Sequence, residues 1–313
     1  MRILVTGGAG FIGSHTIKAL HRHGHTTAIF DDFNDFYDPR IKRTNAAESG
    51  SEIFEGDLRI AADVENCFAA FKPEAVIHLA ARAGVRPSLS DPRLYLDTNV
   101  TGTLNILESM KDHGIGKLVF GSSSSVYGCN EKVPFAEQDP IRNTISPYAA
   151  TKVTGENLCN VYSHLYGIKI VSLRFFTVYG PAQRPDLAIH KFTRKIWDGE
   201  PIQRFGDGKT RRDYTYVDDI VQGITKALDY NDKDYDVFNL GESRTVELRE
   251  LIELIEKSIG KEAVIEALPE QPGDVPITYA DITKAKELLG YNPTTQIEDG
   301  IAKFADWFKS TQT

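Results

Sequence analysis

The chain has 313 residues, 41% of them hydrophobic and 26% charged, and a formal net charge of −8. That length suits one large domain or two intimately packed ones, and the acidic balance argues against non-specific binding to nucleic acid or an acidic membrane, which needs a basic surface. Three scattered cysteines, Cys67, Cys129 and Cys159, without a C-x-x-C pair, imply neither a disulfide framework nor a zinc site and fit a reducing cytoplasm. Arg2 to Thr6 is an apolar, β-branched run of strand length that stops at Gly7-Gly8-Ala9-Gly10-Phe11-Ile12-Gly13, after which Ser14 to Leu20 reads as a helix. Strand, glycine turn and helix in that order favour a dinucleotide pyrophosphate site. Glycines let the backbone approach the ligand, and the helix N-terminus offers unpaired N–H groups and a positive dipole end to phosphate. Gly7, Gly10, Phe11, Ile12 and Gly13 are the candidate contacts. No signal peptide precedes the first strand, and no apolar run reaches the roughly 18 residues a membrane span needs.

Thr26 to Phe30 reads as a second strand ending at Asp31-Asp32. Asp31 stands near the offset of about 20 residues at which a carboxylate binds the adenosine ribose and repels a 2′-phosphate, so the expected cofactor is NAD. Arg40, Lys42 and Arg43 just beyond are the cations that would oppose this. Further strand-like runs at Glu52 to Glu55, Ala75 to Leu79, Lys117 to Phe120 and Lys169 to Leu173 alternate with helical periodicity, which specifies a doubly wound parallel sheet of Rossmann type. Asp57-Leu58 and Leu79-Ala80-Ala81 fall at carboxyl ends of strands, where such sheets bind ligands.

After Arg174 the alternation weakens. A helix at Asp186 to Trp197, then a helix and strand at Tyr216 to Leu228 and Val237 to Leu240, are followed by helices near Val246 to Ser258, Ile282 to Leu289 and Ile297 to Phe308, with a proline-rich loop from Pro269 to Pro276. The expected organisation is an α/β Rossmann domain of residues 1–174 plus about 215–241, and a smaller, discontinuous α/β lobe of residues 175–214 and 242–313 that binds substrate. No flexible linker separates them, so they should share a cleft.

Tyr148 and Lys152 form a Y-x-x-x-K pair one helical turn apart, on one face of a helix that starts near Pro147. A nearby ammonium and a positive nicotinamide ring would favour the phenolate, which then removes a proton from a sugar hydroxyl. Ser122-Ser123-Ser124-Ser125, expected directly after the fifth strand, supplies hydroxyls where an alkoxide or ketone must be held. His21, His23 and His25 lie at the opposite edge of the sheet and are not read as metal ligands. His78 reads as a core histidine, and Phe33, Phe36 and Tyr37 as packing for a loop over adenosine.

With these residues in view, the chain resembles the extended short-chain dehydrogenase/reductases of the nucleotide-sugar epimerase and dehydratase group. Its G-x-x-G-x-x-G spacing, Ser-x-x-Val-Tyr-Gly step and Y-x-x-x-K pair carry the likeness over nearly its whole length. The resemblance implies Ser123 as active-site hydroxyl, Tyr148 as base and Lys152 holding both the tyrosine and the nicotinamide ribose, with Phe175 on the cofactor side. Ser124-Ser125 replaces the Asp-Glu of the dehydratases, so dehydration is not expected. Within the group the chain is most similar to UDP-glucuronate 4-epimerases, on Asp32 to Pro39, Ala83-Gly84-Val85-Arg86-Pro87-Ser88, Arg174 to Gly180 and Arg184-Pro185-Asp186. Ala182-Gln183 departs from the Trp-Gly that pattern has. The resemblance further implies Arg86 on the substrate side, Arg212 on the diphosphate, Gln203 and Phe205 beside uracil, Asp274 on the uridine ribose, and a homodimer through Pro92 to His113 and Pro147 to Tyr166. Arg184, Thr177 and Ser124 or Ser125 are the residues expected to hold a sugar carboxylate. The alternatives are a UDP-glucose 4-epimerase, a UDP-glucuronate decarboxylase, or an NAD-sensing protein without turnover.

Overall fold

The computed structural model of the chain describes residues 1–269 and 275–312. Strands β1 (Arg2–Thr6), β2 (Thr26–Asp31), β3 (Glu52–Glu55), β4 (Ala75–His78), β5 (Lys117–Ser123) and β6 (Lys169–Phe175) follow the apolar runs of the sequence. They join β11 (Tyr235–Leu240) in one seven-stranded sheet of order β11-β6-β5-β4-β1-β2-β3, with every neighbour parallel. The order reverses between β1 and β4, and such a switch point opens a crevice at the carboxyl ends of the strands. Thr6, Asp31, His78 and Ser123 all stand at those ends.

Both faces of the sheet are covered, which is why its strands are almost uniformly apolar. Successive residues point to opposite sides. Ile3, Val5, Ile77 and Val119 enter one core with Ile17 and Leu20 of the helix Phe11–Arg22 and Ile220 and Ile224 of the helix Val217–Asp229. Leu4, Val76, Leu118 and Phe120 enter the other, against Val64 and Phe68 of Ala61–Phe71, Ile106 and Met110 of Gly102–Asp112, and Cys159 of Pro147–Tyr166. The first core continues into the C-terminal half through Phe192 of the helix Ala188–Asp198, Leu251 of Leu248–Ile259 and Phe304 of Ile297–Ser310.

Three short pairs complete the strand set among the described residues. These are β7 (Thr177–Tyr179) with β10 (Tyr214–Tyr216), β9 (Arg211–Arg212) with β12 (Val246–Glu247), and β8 (Ile202–Phe205) with β13 (Ile265–Leu268). Two expectations change. β5 runs three residues past Phe120, because Gly121, Ser122 and Ser123 pair with Leu173, Arg174 and Phe175, so Ser122 and Ser123 belong to the strand. The span Pro92 to His113 is not a uniform helix. A π-helical turn at Asp97–Thr101 divides Pro92–Leu96 from Gly102–Asp112, and Ile282 to Leu289 likewise ends in a π-helical turn, Ala285–Leu289.

Candidate active site

The helix that carries Tyr148 is set by its ends. Ser146 accepts the Ala149 amide at 3.1 Å, Pro147 occupies the first turn, and Gly167 closes the other end at φ +67°. Such a cap is worth about 1 kcal/mol, and it fixes where the first turn of Pro147–Tyr166 meets the end of β5. There Ser123 stands close enough to Tyr148 to favour its ionised form, Ser123 Oγ donates to Ser125 Oγ at 3.1 Å, and the Ser125 amide donates back to Ser123 Oγ at 3.2 Å. Tyr95, whose own hydroxyl donates to the Ala83 carbonyl at 2.8 Å, packs edge-on against the Tyr148 ring.

Lys152 packs against the end of β5. Its Nζ donates to the Gly121 carbonyl at 2.6 Å and sits 5.1 Å over the Phe120 ring, and burial pulls its pKa down to about 8. The Tyr148 phenol is pushed above its ordinary value by burial, with Ser123 and the charge of Arg184 acting in the opposite direction. Lys152 and Tyr148 both line the same cleft.

These groups open into one cleft of about 1060 Å³. The expected contacts Gly7, Gly10, Phe11, Ile12, Gly13, Asp31, Asp57, Leu58, Leu79, Ala80, Ala81 and Phe175 line one part of it, and Arg86, Ser124, Ser125, Thr177, Arg184, Gln203, Phe205 and Arg212 line the rest. Asp274 lies outside the described residues. The glycine turn is compact for a steric reason: a Cβ on Gly13 would lie 2.2 Å from the Gly7 carbonyl oxygen, and one on Gly7, at φ +69°, 2.7 Å from the Ala80 nitrogen. No side chain caps Gly10, so the first-turn amides of Phe11–Arg22 are left to a ligand. Asp31, 7% exposed, accepts the Phe33 amide and has Lys42 Nζ at 4.0 Å, while burial raises its pKa.

Two of the three cations that would favour a 2′-phosphate are engaged elsewhere, while Lys42 stays beside Asp31 in the cleft. Arg40 is paired with Asp38, Arg43 with Glu55, and Lys42 donates to the Asn34 carbonyl. Asp57 is clasped by Arg59, which holds its carboxyl below the usual range. An uncapped helix start, a buried carboxylate at the tip of β2 and a cleft of this size together fit a dinucleotide.

On the substrate side Arg184 is ion-paired with Asp186 at 2.7 Å and lies over the Phe36 ring. Phe36 and Tyr37 therefore line the cleft beside Arg184, whereas Phe33 packs under Arg43. Phe205 lies under the Arg86 guanidinium, Gln203 donates to Glu266, and Arg212 donates to the Arg211 carbonyl. His78 is wholly buried between Thr6 and Thr103, with a pKa pulled down to about 3, so it is neutral. His21 bonds Thr27 and His23 the Ala19 carbonyl. The sequence reading missed Tyr95 and Asp186. The first carries no motif, and the second stands in the Arg184-Pro185-Asp186 stretch with no role of its own assigned.

The family model described as NAD dependent epimerase/dehydratase family matches residues 3–241. The chain belongs to this family. Its cofactor is NAD. Among relatives within the epimerase/dehydratase family, a UDP-glucuronate 4-epimerase of Thermodesulfobacterium geofontis is 43% identical over 98% of this chain and 95% of its own. Two solved structures are similar throughout. The UDP-glucuronic acid 4-epimerase of Bacillus cereus, in complex with UDP-glucuronic acid and NAD, has a TM-score of 0.92 at 37% identity, covering 99% of this chain and 100% of that one. The UDP-glucose 4-epimerase of Thermotoga maritima with UDP-glucose has a TM-score of 0.92 at 35% identity, covering 100% of both chains. Among the described residues, no helix is long and apolar enough to cross a membrane.

Proposed function

We propose that this NAD-dependent nucleotide-sugar epimerase inverts C4 of UDP-glucuronic acid, giving UDP-galacturonic acid through a transient 4-ketone. The observation that carries the uronate reading is Arg184, a guanidinium in the cleft close enough to Tyr148 for its charge to act on the phenol. A neutral hexose offers that guanidinium hydroxyl acceptors but no opposite charge.

Tyr148, as phenolate, removes the C4 hydroxyl proton while hydride leaves the same carbon. NAD, when bound, would supply the reversible hydride acceptor that this step needs. Ser123, beside Tyr148, donates to the C4 oxygen as its charge changes, and Lys152 is the residue proposed for the nicotinamide ribose. The ketone lies β to the C6 carboxylate, so it loses carbon dioxide whenever the breaking bond aligns with the carbonyl π system. Arg184, with the hydroxyls of Thr177 and Ser124 or Ser125, is proposed to hold the carboxylate out of that alignment by bidentate, charge-assisted bonds. Arg212 on the diphosphate and Gln203 and Phe205 beside uracil would keep the nucleotide fixed while the ketopyranose turns to present its other face. Asp274 is proposed for the uridine ribose.

The same reading carries a homodimer, for the helices Gly102–Asp112 and Pro147–Tyr166 leave Leu104, Val161 and Leu165 exposed. Light scattering on the eluting protein tests it. The activity is tested by incubating the purified protein with NAD and, separately, UDP-glucuronate, UDP-galacturonate and UDP-glucose, and identifying products by NMR. Interconversion of the two uronates with little UDP-pentose is the expected result. UDP-galactose from UDP-glucose as the dominant activity would contradict the uronate reading.

A further inference from the structure

Arg184 uses only half of its hydrogen-bonding fork. Nε donates to Asp186 Oδ1 at 2.9 Å and Nη2 to Asp186 Oδ2 at 2.7 Å, and the guanidinium carbon lies 5.2 Å from the centre of the Phe36 ring. The carboxylate fixes the guanidinium within its plane, and the ring fixes its tilt. A planar guanidinium has five N–H groups. Asp186 takes the side-on edge, and the end-on edge, Nη1 with the second Nη2 proton, has no acceptor among the described residues. That edge is the one that pairs with an incoming carboxylate.

The bracket is built into the backbone as well. The Leu187 amide donates to the Arg184 carbonyl at 3.2 Å, so Arg184 to Leu187 form a closed turn with Pro185 at its second position. Proline presets φ there. The turn therefore carries Asp186 back onto Arg184 before any ligand arrives, and a preorganised group loses less entropy on binding. Arg184 and Asp186 both line the cleft, with side chains 18% and 35% exposed.

We propose that Asp186 is a positioning residue that aims the open edge of Arg184 at the sugar carboxylate and so sets a preference for uronates over neutral hexoses. This rests on the uronate reading above. Asp186 touches no substrate in this account and acts wholly through Arg184. A simple competitor for the guanidinium would behave oppositely, because its removal would free Arg184 and tighten uronate binding.

The test compares wild type, Asp186→Ala and Asp186→Asn, each loaded with NAD. UDP-glucuronate is assayed as substrate and UDP-glucose as substrate or competitive inhibitor, with UDP-pentose by-product measured alongside. Alanine removes the bracket, and KM for UDP-glucuronate is expected to rise about tenfold, the loss of roughly one well-aligned charge-assisted bond. The by-product fraction rises with it, while the UDP-glucose constant stays within about twofold. Asparagine keeps an acceptor for one Arg184 N–H and restores most of the uronate affinity. A lower or unchanged uronate KM in Asp186→Ala, or an equal rise for both sugars, would overturn the proposal. Wild type inert toward UDP-glucuronate would instead remove the functional reading, and this inference with it.

Discussion

Two arginines ten residues apart, Arg174 and Arg184, bind carboxylates through the same edge and end in different situations. Arg174 reaches Glu156 through Nε at 2.9 Å and Nη2 at 2.8 Å, then uses Nη1 on the Tyr127 hydroxyl at 3.0 Å and the Glu137 carbonyl at 3.3 Å. Glu156 in turn accepts from Ser122 at 2.6 Å, and Tyr127 donates to Asn239. Nε, Nη1 and Nη2 all have partners inside the protein, and the side chain is 4% exposed. Arg184 stops at Asp186 and keeps its outer edge for the cleft. A buried ion pair by itself does not mark a functional site. The unused donors do, because a group already satisfied has nothing to offer a ligand.

The variants that separate these roles begin with one that touches neither arginine. Tyr148→Phe should lower kcat by about 10²–10⁴, the usual scale of a lost general base, with binding of UDP-sugar nearly unchanged in a titration. An NAD-sensing protein would be indifferent to that change. Arg174→Ala leaves Glu156 as an uncompensated buried charge, which costs about 3–5 kcal/mol of folding stability, seen as a lower denaturant midpoint. Arg184→Ala should do the reverse. Stability moves by less than about 1 kcal/mol, since the Arg184–Asp186 pair is partly solvated. UDP-glucuronate affinity falls by roughly 10–100-fold, the loss of bonds to a charged group, and UDP-pentose appears.

The smallest effect belongs to a carboxylate with no arginine bonded to it. Among the described residues Glu242 Oε2 is buried without a hydrogen-bond partner, and burial, with Asp219 and Asp213 nearby, pushes its pKa up to about 8 from 4.5. The folded protein then holds a proton that the unfolded chain has lost between those values, so stability falls as pH rises from about 4.5 through 8. Glu242→Gln removes this loss. After allowance for solvent screening, the gain at pH near 9 is about 1–2 kcal/mol, or a few degrees in melting temperature, with little change near pH 5.

Much of this architecture was legible because single residues carried it. The run Arg2 to Thr6 alternates between two apolar cores, and the glycines at 7 and 13 sit where any side chain would strike backbone. Asp31 at the tip of β2 and the one-turn spacing of Tyr148 and Lys152 needed no tertiary knowledge to find. What escaped the sequence depends on partners far along the chain. Gly121, Ser122 and Ser123 have weak strand propensity and extend β5 only because β6 lies beside them. Lys152 meets the Gly121 carbonyl only after that extension forms. The strands of two to four residues at β7 to β10, β12 and β13 are too short to show a period. Arg184 was legible from its motif, but the two bonds by which Asp186 holds it belong to the folded turn.

The central claim is that one cleft lifts hydride from C4 of a uronate and returns it to the opposite face of the same sugar. UDP-glucuronate deuterated at C4, incubated with the NAD-loaded protein in ordinary water, tests this directly by mass and NMR analysis of the product. The account predicts UDP-galacturonate that keeps its deuterium at C4, with the cofactor pool unlabelled. Loss of the label to solvent, or a product epimerised at another carbon, would contradict it.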